Sequence, residues 1–215
     1  LFNATKISGD SSYYKIAVSH ADKTLQHHFR DNNSSFHVLD YDPETGNVLN
    51  KNTHQGYSDS SSWARGQAWG LYGYTMCYRE TGLKRYLDQA IAIAEYIMDS
   101  PNMPKDGIPL WDYDAPKGEG AEPRDASAAC ITASALYELA VLTDSPKGKF
   151  GQWADRIIDH LATPEYFPGG EANRGFLLGH SVGSLPHGVE VDVPLNYADY
   201  YFLEALLRKK NIMGL

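Results

Sequence analysis

Thr53-His54-Gln55-Gly56-Tyr57-Ser58-Asp59-Ser60-Ser61-Ser62-Trp63-Ala64-Arg65-Gly66-Gln67-Ala68-Trp69-Gly70 passes from a polar, glycine-bearing loop directly into a helix. Asp59, Ser60, Ser61 and Ser62 are all residue types that cap helix N-termini, so the spacing predicts a helix over 62–81. Arg65 and Trp69 are four apart and share a helical face. At a helix N-terminus, a guanidinium fork can hold a carboxylate while an indole stacks on a ring, which suits an anionic sugar. The plain alternative is an amphipathic helix with a surface arginine.

Working outward from this stretch, apolar residues recur at helical spacing over 10–29, 83–100, 125–143, 147–161 and 195–210, and 1–8 reads as the last turns of another helix. Gly9, Tyr13 and Ala17 repeat as Gly82, Tyr86 and Ala90, and Phe150 and Ala154 echo the same pattern. The period of roughly 60 to 75 residues is that of helical hairpins in an array. Turns at Gly9, Gly82 and Asp144 are short, whereas the connections 30–61, 101–124 and 163–194 are long. In an up-down array all the long connections fall at one end. The helices they lead into are the more apolar and are expected inside, with the others outside. The expected fold is an all-α (α/α)6 barrel, of which residues 1–215 form a single catalytic-domain portion, roughly the C-terminal half, with residues upstream of Leu1 completing the ring. A short hairpin is expected around Asp42-Pro43-Glu44-Thr45-Gly46.

Composition narrows the function. The formal net charge is −8 and no long basic block occurs, so nucleic acid and anionic membrane are poor partners. No apolar run is long enough to span a bilayer. Cys77 and Cys130 both lie in apolar helical patterns and read as buried thiols. No zinc-type cluster, P-loop, nucleophile elbow or dinucleotide fingerprint is present, and the adjacent rings of His27 and His28 should diverge on a helix, which argues against a metal there. The long loops instead carry His37, His54, Gln55, Trp111, Asp112, His180, Ser181, Ser184 and His187, an Arg/His/amide/aromatic mixture suited to carbohydrate. Asp59 and Asp125 could serve as acid or base, but each sits where an N-cap belongs.

His54-Gln55-Gly56-Tyr57-Ser58-Asp59, Trp63-Ala64-Arg65-Gly66-Gln67-Ala68-Trp69-Gly70, Asn173-Arg174-Gly175-Phe176, His180-Ser181-Val182-Gly183 and Leu195-Asn196-Tyr197-Ala198-Asp199-Tyr200-Tyr201 together resemble the unsaturated glucuronyl hydrolases, glycoside hydrolase family 88. The resemblance implies removal of a 4,5-unsaturated uronic acid from the non-reducing end of lyase-generated oligosaccharides by hydration of the vinyl ether. It implies that an aspartic acid protonates C4, that water adds at C5 and that no metal or cofactor is needed. It implies a supporting catalytic role for His37 beside the attacking water. It implies substrate contacts for Gln55, Arg65 and Trp69, and for Ser181 and Ser184 on the leaving-group side. Pro186 stands where a lysine for a 6-sulfated sugar would be expected. The family's two catalytic aspartates fall upstream of Leu1, so the partners expected are an acidic unsaturated oligosaccharide and the rest of the barrel. The alternatives are an unsaturated rhamnogalacturonyl hydrolase, which would carry Asn-Gly in place of Gln67-Ala68, and a non-catalytic carbohydrate-binding hairpin module.

Overall fold

Gly9 and Gly82 end their helices at φ of 75° and 67°, the left-handed conformation that a side chain disfavours and glycine adopts freely. Each turns the chain back at once into the next helix. A Cβ at Gly82 would meet nothing within 4 Å, so Gly82→Ala isolates backbone strain from packing. It is expected to destabilise by roughly 1–2 kcal/mol. A lowered urea midpoint with an unchanged denaturant slope would show it.

The structure, a computed structural model, describes residues 1–116 and 123–214. Helices α1 (Phe2–Ser8) and α2 (Ser11–His27) lead to a hairpin of β1 (Val38–Tyr41) and β2 (Val48–Asn52). Then follow α3 (Ala64–Thr81), α4 (Lys84–Asp99), α5 (Ala126–Leu142), α6 (Lys149–Leu161) and α7 (Asn196–Met213), with 3₁₀ turns at Gly170–Asn173 and Leu185–His187. The hairpin is antiparallel, Val38 opposite Asn52, and the Asp42 carboxylate accepts the Glu44 and Thr45 amides at 2.8 Å to close its turn. Of the 101–124 connection, residues 117–122 lie outside the described residues.

Helix α5 organises the packing. It is built mostly of Ala, Ser, Thr and Cys with Ile131, Leu136 and Leu139, and almost its whole length is buried. Small side chains let neighbours approach from every side, and α5 packs against α3, α6 and α7. Helix α4 packs on α3. The inner set α3, α5, α7 and the outer set α2, α4, α6 are therefore as expected from the alternation of connections. Helix α7 departs from the expected apolar character. Ala198, Phe202 and Ala205 are buried, while Tyr200, Leu203, Leu207 and Met213 are each more than half exposed. The repeat shows the same asymmetry. Tyr86, Ala90 and Ala154 are wholly buried, whereas Tyr13 is 37% exposed because nothing packs over it.

Side chains of α3 and α7 meet in front of α5. Tyr201 sits edge-on to Trp69 at 5.1 Å and to Tyr72 at 5.3 Å. Further along, the Tyr72 and Ser134 hydroxyls donate to Glu204 at 3.1 and 2.6 Å. Arg208 donates to the Ser134 carbonyl at 2.7 Å and pairs with Glu138 at 2.8 Å, and Arg79 pairs with Glu138 at 2.5 Å. Tyr137, on another face of α5, reaches Asp155 of α6 at 2.7 Å.

Local expectations are corrected at the start of α3 and at Cys77. Helix α3 begins at Ala64 rather than Ser62, and Asp59 does not cap it; its carboxylate accepts the Thr53 amide at 2.8 Å. The 111–114 segment supplies the missing acceptors. Ala64 N–H donates to the Trp111 carbonyl at 3.1 Å, Ser62 N–H to Asp114 at 2.9 Å and the Ser61 hydroxyl to Asp112 at 2.7 Å. The His27 and His28 rings lie against Tyr41, at 5.9 and 6.5 Å. Cys77 and Cys130 are free thiols, Cys130 buried and Cys77 partly so, and burial pushes Cys77 up to about 11.

Candidate active site

The long connections converge at the N-terminal ends of α3, α5 and α7, and the first turns of α3 tie them together. Residues 63 and 67 face one way and residues 65 and 69 the other, as the helical repeat dictates. Trp63 lies under the His37 ring, centroids 4.4 Å apart. Gln67, wholly buried, accepts from the Ser35 amide at 2.8 Å and donates to the Asn33 carbonyl at 2.8 Å. On the opposite side Arg65 lies beneath Tyr197, 5.4 Å from its ring, and Trp69 against Tyr201.

His37 is held at its Nδ1. The amides of His54 and Gln55 donate to that nitrogen at 3.1 and 3.2 Å. An acceptor at Nδ1 fixes the neutral tautomer with its proton on Nε2. Burial, with His54 and Arg65 nearby, pulls this ring's pKa down to about 4. An unfolded histidine takes up its proton near pH 6.5, so between that value and about 4 the unfolded chain binds the extra proton and the native chain does not. The stability tied to His37 is full above pH 6.5 and falls as pH drops toward 4. Urea midpoints at pH 7 and pH 5 should therefore differ less in His37→Gln than in the wild type.

Arg65 is not the open fork expected of it. Its side chain is 5% exposed and pairs with the fully buried Asp125 at 3.0 Å. It also donates to the Val182 carbonyl and, at 2.6 Å, to the Gly183 carbonyl. The reason lies at the tip of α5. Asp125 caps that helix through Ser127 N–H at 3.0 Å and presents its other oxygen to Arg65. The cap reading of Asp125 holds, with an ion pair added. Gln55 Nε2 donates to the same Gly183 carbonyl at 2.8 Å, so it too grips the 181–190 loop. Ser181 is a correction as well. It is wholly buried, its backbone pairs with Val193, and its hydroxyl finds no hydrogen-bond partner among the described residues. Ser184 stays at the rim, its hydroxyl 2.7 Å from His187 Nδ1, and the His187 ring lies 4.4 Å from that of His54. Trp69 keeps 36% of its surface exposed.

Asp112 is buried and its pKa is raised by burial, while the Tyr57 and Asp114 amides and the Ser61 hydroxyl oppose the shift. It holds the 56–61 loop and is fully engaged in doing so. Gly56 sits against it, and a Cβ there would come within 3.1 Å of its Oδ2. Sequence reasoning missed Arg30, whose guanidinium donates to the carbonyls of Ser35, Asp59 and Ser61 at 2.9 to 3.1 Å. A lone arginine after a helix carries no pattern that would mark it. An apolar cleft of about 540 Å³ runs between α2 and α3, from Leu1 and Phe2 past Gly66, Gly70 and Gly73 to His37 and Trp63. Trp69 lines it and Arg65 does not.

No family model matches the chain. Similar proteins are found both by sequence and by structure. The unsaturated glucuronyl hydrolase of Formosa agariphila is 49% identical over 213 residues, 99% of this chain and 52% of that protein. The crystal structure of an unsaturated glucuronyl hydrolase specific for heparin superposes with a TM-score of 0.95 at 46% identity, covering all of this chain and 57% of the other. This chain belongs to the unsaturated glucuronyl hydrolase family. Its fold is accordingly that of an α/α barrel, and the chain spans about half the length of the curated relatives it matches. A Streptococcus agalactiae unsaturated glucuronyl hydrolase, 34% identical with a TM-score of 0.81 over 97% of this chain and 55% of that one, has been solved with dGlcA-GalNAc6S bound.

Proposed function

We propose that the full-length protein removes a 4,5-unsaturated uronic acid from the non-reducing end of an acidic oligosaccharide by hydrating its vinyl ether. A proton adds to C4 and the water oxygen bonds to C5. The resulting hemiketal opens, and the aglycone leaves with its oxygen protonated. The observation that carries this reading is His37, neutral, with its proton on Nε2 and its Nδ1 fixed by two amides at a rim where three loops meet. A histidine in that state orients a water without competing for the C4 proton. The partly exposed Trp69 supplies a stacking face and Gln55 a polar contact for the unsaturated uronate, and Ser184 lines the approach on the leaving-group side.

The proton donor comes from outside these 215 residues in this reading. Asp112 and Asp125 are each occupied by donors already described. The apolar cleft between α2 and α3 continues the line of α1, and the exposed flank of α7 lies at the other edge of the arc. We place the rest of the barrel against both, with a helix leading into α1 filling the cleft. Exposed apolar flanks of this size call for cover. The test compares the full-length protein with the 215-residue chain on an unsaturated glycosaminoglycan disaccharide, following loss of the conjugated double bond's ultraviolet absorbance. Turnover is expected from the full-length protein alone. Equal turnover by the shorter chain would overturn the placement of the acid, and none by either would overturn the activity.

A further inference from the structure

We propose that Gln67 is a positioning residue, whose buried carboxamide anchors the 33–35 turn to α3 and thereby keeps the His37 ring registered on Trp63. The inference rests on the rim being the reaction site. Gln67 Oε1 accepts from the Ser35 amide at 2.8 Å and the Ser35 hydroxyl at 3.0 Å, and Nε2 donates to the Asn33 carbonyl at 2.8 Å. Asn33 itself turns through φ 65°, so the turn is sharp and its carbonyl has a fixed direction. Arg30 also bonds Ser34 and Ser35 within the turn and reaches the Asp59 and Ser61 carbonyls in the loop before α3. The Gln67 bonds join the turn to α3 itself.

The geometry transmits this anchoring over a short distance. His37 follows Ser35 by two residues, a span of at most about 7 Å of chain. Trp63, the plate under the ring, stands one helical turn before Gln67, about 6 Å away on the same face. One turn of α3 therefore carries both the anchor for the loop and the surface on which the loop's histidine rests. Two readings of Gln67 compete. It could serve only to satisfy buried polar groups, which would cost stability when removed. As a positioning residue it must in addition control the environment of a ring it does not touch.

Gln67→Met in the full-length protein separates the two. Histidine ring proton resonances are followed against pH, with His37→Gln assigning the His37 signal. In the wild type, burial and the flanking His54 and Arg65 keep the His37 midpoint near about 4. The variant is expected to move it by at least about one unit toward the ordinary histidine value of about 6.5. The accompanying expectation is a fall in kcat of at least about tenfold with KM changed by less than about threefold. A lowered melting temperature with an unmoved His37 midpoint would overturn the proposal. Should Gln67→Met fail to fold, Ser35→Ala removes only the hydroxyl bond; a smaller shift in the same direction supports the anchor, and none overturns it. The resonance measurement needs no turnover. If the wild type does not hydrolyse unsaturated uronides, the proposed activity fails while the His37 midpoints still decide the role of Gln67.

Discussion

Asp125→Ala is expected to destabilise the protein by about 3–5 kcal/mol, the cost of leaving a buried charge without its counterion. Arg65 would keep the carbonyls of Val182 and Gly183 and the Ser127 hydroxyl, at 3.5 Å, as neutral acceptors, in a setting where its side chain is 5% exposed. The reverse change should cost less. After Arg65→Ala, the Asp125 carboxylate retains the Ser127 amide and hydroxyl at 3.0 and 2.5 Å, and the Gly183 carbonyl retains Gln55. Asp125→Asn keeps a good N-cap and loses only the charge, so it should fall between the wild type and Asp125→Ala. Chemical denaturation of the three variants and of the Arg65→Ala/Asp125→Ala double variant checks the order. A double variant no worse than Asp125→Ala alone would show the two residues acting as a unit.

Trp63→Ala should cost a similar amount, about 3–5 kcal/mol, for a different reason. The indole is 8% exposed and is a packing surface on several sides. The His37 ring rests on it, the Arg65 guanidinium lies 4.7 Å from its centroid, and Gly66 is so close that a Cβ there would meet the ring at 2.7 Å. Truncation removes contacts that no neighbour can move in to replace. Trp63→Phe retains a plate and should recover most of the loss. Thermal melts rank the pair, and a Trp63→Ala protein as stable as the wild type would show that the indole is not the support it resembles.

The array was legible because its signals are local. Helical periodicity, Gly9 and Gly82 as stops, and the alternation of short with long connections each need only neighbouring residues. Inner and outer helices could be told apart, and α5 announces its burial by composition. The site was legible in part. Residues 63–70 do form the first turns of α3, where the three long connections meet, and the shared face of Arg65 and Trp69 follows from their spacing. What Arg65 does there was not legible, since its partners are a carboxylate 60 residues on and two backbone carbonyls beyond residue 180. Backbone acceptors leave no trace in side-chain identity. Ser181 misled for the opposite reason, because a serine in a polar loop reads as exposed, yet its strand-like pairing with Val193 turns it inward. Asp59 failed as a cap because acceptors from residues 111–114, distant in sequence, were already at the helix end.

The stacked layers between α3 and α7 differ in what holds them. Below Arg65 come Trp69 with Tyr201, then Tyr72 with Glu204, then Arg208 with Glu138 and Arg79. The upper layer is aromatic and indifferent to salt, whereas the lowest sets two arginines on one carboxylate of α5 and is open to screening. Ionic strength therefore acts on α7 from its C-terminal turns, leaving the end nearest the loops in place.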